Sequence, residues 1–409
     1  MATCEPHSGT LVADVSSAAF TAIDAGTLYT PAENFSPGRL LVEGTTIAAA
    51  GTVDSVHIPP GAARVDASQW LVTPGFIDPH IHGCGGVDLM DGTYESLNAV
   101  SRLLARHGTT SFLPTTVSSA PETLTRTIEQ LSAAMSKSFD GAQPVGIHLE
   151  GPFINAVRRG THKASNVLAP DVDLLEKWME RSGRMIRLLT VAPELDGIDR
   201  LMILAKHFGL TVAMGHSNAT FEEAKAAADS GICYAVHTFN AMRPFSHRDP
   251  GIVGEVLSDD RVFAEIIADG VHVDEAVVRI FALAKGKSRG LLVTDAISAT
   301  TMPDGTYRLG ESLVEVVDGI CRDAEGRLAG STLTQEIALR NFTRWTGWPF
   351  EHALLGLTAN PATALKMENK GSLKAGADAD IVALDNNFRV MKTWVGGRLV
   401  FDRNSGTVV

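Results

Sequence analysis

The sequence predicts an α/β protein: a (β/α)8 barrel, with a small β-sandwich domain built from both ends of the chain. Three observations carry this. Short apolar runs alternate with longer amphipathic stretches through the middle of the chain. Both ends instead hold short strand-like runs broken by Gly, Pro and Asn. Residues able to do chemistry fall repeatedly where the central apolar runs stop. Strand–helix alternation alone fits a barrel or a doubly wound open sheet. The third observation favours the barrel, whose site draws on the C-terminal ends of several strands.

The elements follow in order. Residues 20–23, 38–42 and 46–49 read as strands separated by turn signals, and 379–384 and 390–394 repeat that texture around a Gly396-Gly397 hairpin turn. Residues 1–66 and 370–409 are therefore expected to form the β domain, and 67–369 the barrel. Barrel strands are expected at 71–78, 110–113, 144–149, 186–191, 210–214, 232–236, 262–268 and 290–294. Helices are expected at 93–107, 121–138, 172–182, 195–208, 220–230 and 274–285. Thr220-Phe221-Glu222-Glu223 has the form of a capping box, which marks a helix start.

Composition narrows the function. The 409 residues are 44% hydrophobic and 20% charged, ordinary for a soluble enzyme, and the formal net charge is −12. Nucleic acid and anionic membranes are poor partners for such a chain, because their binding rests on clustered Lys and Arg. An anionic substrate must be held by local positive groups against the overall field. Met1-Ala2-Thr3-Cys4-Glu5-Pro6 shows no basic segment followed by an apolar core, so neither a signal peptide nor a membrane span is expected. The four cysteines, at 4, 84, 233 and 321, show no paired spacing, and Cys84 reads as a small residue in a tight Gly-Cys-Gly-Gly loop. A reducing cytoplasm fits these features.

The chemistry begins at Pro74-Gly75-Phe76-Ile77-Asp78-Pro79-His80-Ile81-His82-Gly83. Side chains alternate along an extended segment, so His80 and His82 point the same way and could share one ion. Further ligand types end later runs: Glu150 after strand three, His216 after five, His237 after six, His272 beyond seven and Asp295 beyond eight. Imidazoles and carboxylates suit zinc, iron, manganese or cobalt, and three protein ligands with an open position is the catalytic pattern. Glu150, His216 and His237 would make one such site. His80 and His82, with Glu150 bridging, would make a second. A divalent ion there acidifies a water, and Asp295 is placed to take its proton.

These stretches resemble the amidohydrolase superfamily, and within it the N-acetylglucosamine-6-phosphate deacetylases. The matching segments are Pro74 to Gly83, His148-Leu149-Glu150-Gly151-Pro152 with Gly160-Thr161-His162, Gly215-His216-Ser217, His237 to Arg243, Asp269-Gly270-Val271-His272, Val293-Thr294-Asp295 and Gly330 to Thr334. The resemblance implies a metal-dependent amide hydrolase that releases acetate from an N-acetylated amino-sugar phosphate, in amino-sugar catabolism. It implies Glu150, His216 and His237 as constant metal ligands and Asp295 as general acid/base. His162 would polarise the acetyl carbonyl. Thr161, Asn240, Ala241, Arg248 and His272 would contact substrate, along a wall made by Leu328, Ala329 and Gly330. One or two divalent ions per subunit are implied, zinc first. Because the family's matching arginine reaches over from a neighbouring subunit, a homodimer with Arg248 shared between sites is expected. Two other readings stay open: an amidohydrolase acting on a cyclic amide or an N-acyl amino acid, and an inactive scaffold. The preference between N-acetylglucosamine- and N-acetylgalactosamine-6-phosphate is not readable.

Several residues carry plainer readings. His148 is expected as a barrel-interior histidine, and His107, His207 and His352 as surface or packing residues on helices. His7 and His57 fall outside the barrel. An arginine paired with Asp249 on the surface is the bland alternative for Arg248.

Overall fold

The computed structural model describes residues 20–405 and the backbone of Thr407 and Val408; Cys4, His7 and the rest of residues 1–19 lie outside the described residues. Eight parallel strands make the barrel: β1 (Phe76–Ile81), β2 (Thr109–Thr116), β3 (Ile147–Glu150), β4 (Ile186–Val191), β5 (Thr211–Met214), β6 (Tyr234–Ala235), β7 (Phe263–Ile266) and β8 (Gly290–Leu292). Each pairs with the next in sequence. The ring closes where β1 meets the extension of β8: Ile81 bridges Ala296, the His82 amide donates to Ala296 O at 2.8 Å, and the Asp295 amide to His80 O at 2.9 Å. Closure therefore runs through residues that the sequence singled out for chemistry.

Period-two alternation explains why these runs are strands. Ile77, Leu113, Leu188, Ala213, Tyr234, Phe263 and Leu291 pack together as one cluster, with residues of the 359–367 segment. Their neighbours Phe76, Phe112, Leu189, Val212, Ala264 and Leu292 belong to the larger cluster that also takes in the helices. Burial on both faces is what an enclosed parallel sheet needs, and it makes each run nearly continuous in apolar residues.

The longer helices are α1 (Tyr94–Arg106), α2 (Pro121–Met135), α3 (Val172–Arg181), α4 (Ile198–Phe208), α5 (Phe221–Ser230), α6 (Gly251–Ser258), α7 (Glu275–Arg289) and α8 (Gln335–Thr346), followed by two short ones at Phe350–Leu355 and Ala359–Ala364. Their starts are chemically specified. Thr93 and Asp171 each accept a first-turn amide, and Thr220 and Glu223 form the full reciprocal capping box. The helix expected from 195 begins only at Ile198, after Gly197 at φ 93° and a turn from Leu195 to Ala192. Gly286 interrupts α7 with φ 56° and ψ −172°. No described helix is long and apolar enough to cross a membrane.

The strands expected from both ends join one continuous nine-stranded sheet. Ala63–Pro74 sits at its centre, parallel to Phe20–Tyr29 and antiparallel to Ile381–Leu384, and leads through Gly75 into β1. Ile23, Leu28, Leu40, Val42, Ile381, Ala383 and Trp394 share its core. The Gly396-Gly397 turn joins Val390–Val395 to Arg398–Asp402 as expected, with φ of 52° and 74°. A three-stranded flap, Gly305–Leu309, Ser312–Val317 and Ile320–Asp323, is inserted between β8 and α8.

Candidate metal centre and active site

The C-terminal ends of the barrel strands enclose a cavity of about 290 Å3. Glu150 is its hub. The Nε2 atoms of five histidines lie within 3.4 Å of its carboxylate: His216 and His237 at 3.1 Å, His80 at 3.3 Å, His82 and His162 at 3.4 Å. Asp295 Oδ1 stands 3.3 Å from His82 Nε2 and 3.7 Å from His80 Nε2. All seven residues are buried.

Hydrogen bonds on the far side of each ring sort these histidines by role. His216 Nδ1 faces Arg158 O at 3.0 Å, and His82 Nδ1 faces Thr115 O at 3.2 Å. A carbonyl only accepts, so both rings, when neutral, carry their proton on Nδ1 and turn an Nε2 lone pair toward the cavity. His80 Nδ1 meets the Glu265 carboxylate at 2.9 Å and is oriented alike. His162 is the reverse. Its Nδ1 accepts the Ser118 backbone N–H at 3.0 Å, with Ser118 Oγ at 2.8 Å, so a neutral His162 carries its proton on Nε2 and is a donor into the cavity. His148 is satisfied on both nitrogens, by Pro79 O at 3.1 Å and Thr190 Oγ1 at 2.8 Å, as befits an interior histidine.

The backbone holds these side chains in uncommon conformations. Among the described residues His216, His237, Phe239, Ala241 and Asp295 all have positive φ, between 28° and 81°. Non-glycine residues seldom adopt this region, and such strain clusters at functional sites. Gly160 is needed for close approach: at φ 56°, a Cβ there would lie 3.2 Å from His216 Cε1. Glu194, at the end of β4, ties two loops together by accepting from Asn155, Ser217 and the Asn218 amide.

Electrostatics mark the cluster as a cation site. Burial alone would lower His82, but hydrogen bonds to Asp295 and Glu150 lift it to about 9. His80 is also raised, its burial overcome by Glu265 and Glu150. Burial would raise Asp295, yet the charge of His80 and the hydrogen bond from His82 hold it well below the usual carboxylate range. Burial takes His162 down to about 4, which keeps it neutral. Protons and metal ions compete for the same lone pairs, so a site that draws protons this strongly also draws cations.

The residues present fit a divalent metal. The buried His80 Nε2 has no hydrogen-bond partner, its approach to Glu150 being off the bonding direction. His216 Nε2 and His237 Nε2 stand 3.1 Å apart and each lies 3.1 Å from Glu150 Oε1, so one ion could meet all three atoms. His80, His82 and Glu150 form one group able to hold an ion, and Glu150, His162 and His216 another. In the second group His237 Nε2 is the better third ligand, because the His162 Nε2 carries a proton.

The expected substrate contacts are mostly gathered here. Thr161, His162, Asn240, Ala241, His272, Leu328 and Gly330 line the cavity. His272 Nδ1 is held by Asp269 at 2.7 Å, which raises its pKa against the opposing effect of burial. Two residues stand elsewhere in this chain. Ala329 packs behind the wall with Ile297 and Val314. Arg248 is exposed on the loop after β6 and does not line its own chain's cavity. Nor is it paired with Asp249, which Arg243 holds at 2.7 Å.

Other residues at the site were not expected. Val117, Leu309 and Arg327 line the cavity, with Arg327 held by Asp323 and Glu325 at 2.7 and 2.9 Å. Ser118 fixes the His162 tautomer. Glu265 is the only acidic residue inside the apolar run Val262-Phe263-Ala264-Glu265-Ile266-Ile267, and that break in pattern was a usable signal.

Fold and site together define a class, and comparison with known proteins agrees. Residues 71–400 match the amidohydrolase family, and the chain belongs to it. It is an enzyme of the amide-hydrolysing class. Among its relatives it is 39% identical over 357 residues to N-acetylglucosamine-6-phosphate deacetylase of Vibrio furnissii, covering 86% of this chain and 89% of that protein. It is 36% identical over 343 residues to N-acetylgalactosamine-6-phosphate deacetylase of Escherichia coli O157:H7, covering 84% and 90%. A point mutant of the Mycobacterium smegmatis N-acetyl-D-glucosamine-6-phosphate deacetylase, solved in complex with N-acetyl-D-glucosamine-6-phosphate, matches with a TM-score of 0.86 and 33% identity over 94% of this chain and 99% of that one.

Proposed function

We propose that this protein removes the N-acetyl group of N-acetylglucosamine-6-phosphate, giving acetate and glucosamine-6-phosphate. The observation that carries the reading is the ring of five histidine Nε2 atoms around Glu150, with Asp295 opposite. Glu150, His216 and His237 would hold one divalent ion, zinc first, and His80, His82 and Glu150 a second. Such an ion supplies Lewis acidity, which makes water a nucleophile at neutral pH.

The chain's own groups do the rest. His162 donates its Nε2–H to the acetyl oxygen and stabilises the charge that develops there. Asp295 takes a proton from the attacking water as the new C–O bond forms. It returns that proton to the sugar nitrogen as the C–N bond breaks, so the amine leaves neutral. Thr161, Asn240, Ala241 and His272 orient the sugar, and the Leu328–Gly330 wall excludes water behind it.

Phosphate is read by Arg248 in this account. It is exposed and has no ion pair among the described residues. Phe245 beside it and Val157 and Val271 on neighbouring loops are exposed apolar groups, 55%, 77% and 40% accessible. A second copy docked on these loops would cover them and carry Arg248 to the partner's cavity, where its planar fork fits phosphate oxygens.

Acetate release from N-acetylglucosamine-6-phosphate, its galactosamine epimer and unphosphorylated N-acetylglucosamine tests this. A charge-assisted contact contributes about 1.5–3 kcal/mol, so Arg248→Ala should lower kcat/KM for the phosphorylated sugars by roughly ten- to more than a hundredfold. Residual activity on the unphosphorylated sugar should barely change. Equal loss on all three would remove Arg248 from phosphate recognition. Equal use of phosphorylated and free sugar by the wild type would overturn the substrate class, and faster turnover of the epimer would reassign the sugar.

A further inference from the structure

Glu265 sits on β7, fully buried and in the middle of an apolar strand. A carboxylate there is costly unless it is fully hydrogen-bonded. It is: Oε1 accepts from Tyr234 Oη at 2.8 Å, and Oε2 accepts from the His237 amide at 3.0 Å and faces His80 Nδ1 at 2.9 Å. Tyr234, wholly buried, has no other role in the site.

The consequence falls on His80. Glu265 holds the proton on Nδ1 and sets the plane of the ring, so Nε2 presents a lone pair toward Glu150 and Asp295, 3.3 and 3.7 Å away. That atom has no hydrogen-bond partner among the described residues. Carboxylates behind ligating histidines orient the ring and strengthen the ligand. The remaining rings of the cluster lack this: His82 and His216 lean on neutral carbonyls, and His237 Nδ1 has no partner among the described residues.

We propose that Glu265 is the positioning residue that decides whether this chain holds a second ion, by making His80 a carboxylate-backed Nε2 ligand. The proposal rests on the metal-dependent reading above. It assigns Glu265 no contact with substrate.

Titration of the metal-free protein with zinc, followed by calorimetry or a competing chromophoric chelator, tests it without reference to activity. The wild type should bind two ions. Glu265→Gln, nearly isosteric, should weaken the second ion about 10–100-fold, the usual cost of losing such support. Glu265→Met should bind one. Tyr234→Phe, which touches only Oε1, should still bind two. In a His80→Ala background, Glu265→Gln, which keeps an acceptor for the His237 amide, should change zinc binding no further, since its effect on the second ion passes through His80. Two-ion binding of wild-type affinity in Glu265→Gln would overturn the proposal, and so would further loss in the His80→Ala background. Glu265→Gln carries the test if the methionine variant does not fold. A wild type binding one ion would overturn the proposal and leave the metal-dependent reading standing; one binding none would sink both.

Discussion

At the scale of single residues, the site is a problem in proton placement. Asp295 and His162 both line the cavity, yet one is held as an anion and the other as a neutral donor. That division suits a reaction in which a proton leaves water while the acyl oxygen gains charge. Asp295→Asn keeps shape and removes basicity, so turnover should fall by about 10²–10⁴-fold while substrate still binds. Steady-state kinetics at matched metal content checks this, and near-normal turnover would exclude the role. Asp295, Glu150, His80, His82, His216 and His237 were legible because each is a ligand type standing where an apolar run stops, whereas His162 came only through the family resemblance. Ser118 was not legible, and Glu265 showed only as a lone charge in an apolar run, with no hint of its role. Their work depends on which nitrogen of a distant ring they face, and spacing along the chain does not encode that.

At the scale of elements, caps and breaks decide where helices lie. Thr220 and Glu223 announce α5 in four residues. Helix α6, Gly251-Ile252-Val253-Gly254-Glu255-Val256-Leu257-Ser258, was not expected, since two glycines interrupt any apolar period. The flap was missed although Val314 and Val316 alternate with exposed neighbours, a legible strand signal beside turn residues that read as loop. The end of α6 depends on a residue far along the chain: the buried Lys285 donates to Val256 O at 2.7 Å and Asp259 O at 2.9 Å. Lys285→Met should destabilise the protein by about 1–3 kcal/mol, through acceptors left unpaired. Burial pushes Lys285 down from 10.5 to about 8, with Asp259 and Asp260 opposing. Between those pH values the unfolded chain binds more protons at this position, so its contribution to stability rises with pH across that window. The stability gap between wild type and Lys285→Met, measured by unfolding from pH 7 to pH 10, should therefore widen above pH 8. A flat or narrowing gap would contradict this account of Lys285.

At the scale of the whole molecule, one topological fact organises the rest. The barrel closes between β1 and the extension of β8, and the closing hydrogen bonds run through His80, His82, Asp295 and Ala296. Folding the ring shut thereby brings the proposed ligands His80 and His82 together with Asp295, the proposed acid/base. The sequence announced the barrel by its rhythm and by strand ends that share one chemistry. It left the pairing of its two termini in a single sheet less plain, because short alternating strands do not name their partners. The central claim is that the cluster around Glu150 works through a bound cation. The most direct test is acetate release from N-acetylglucosamine-6-phosphate by protein stripped with a chelator, before and after zinc, iron, manganese or cobalt is returned, with metal content measured in the same samples. Activity should vanish with the metal and return with a divalent transition ion; full activity in a demonstrably metal-free sample would contradict the account.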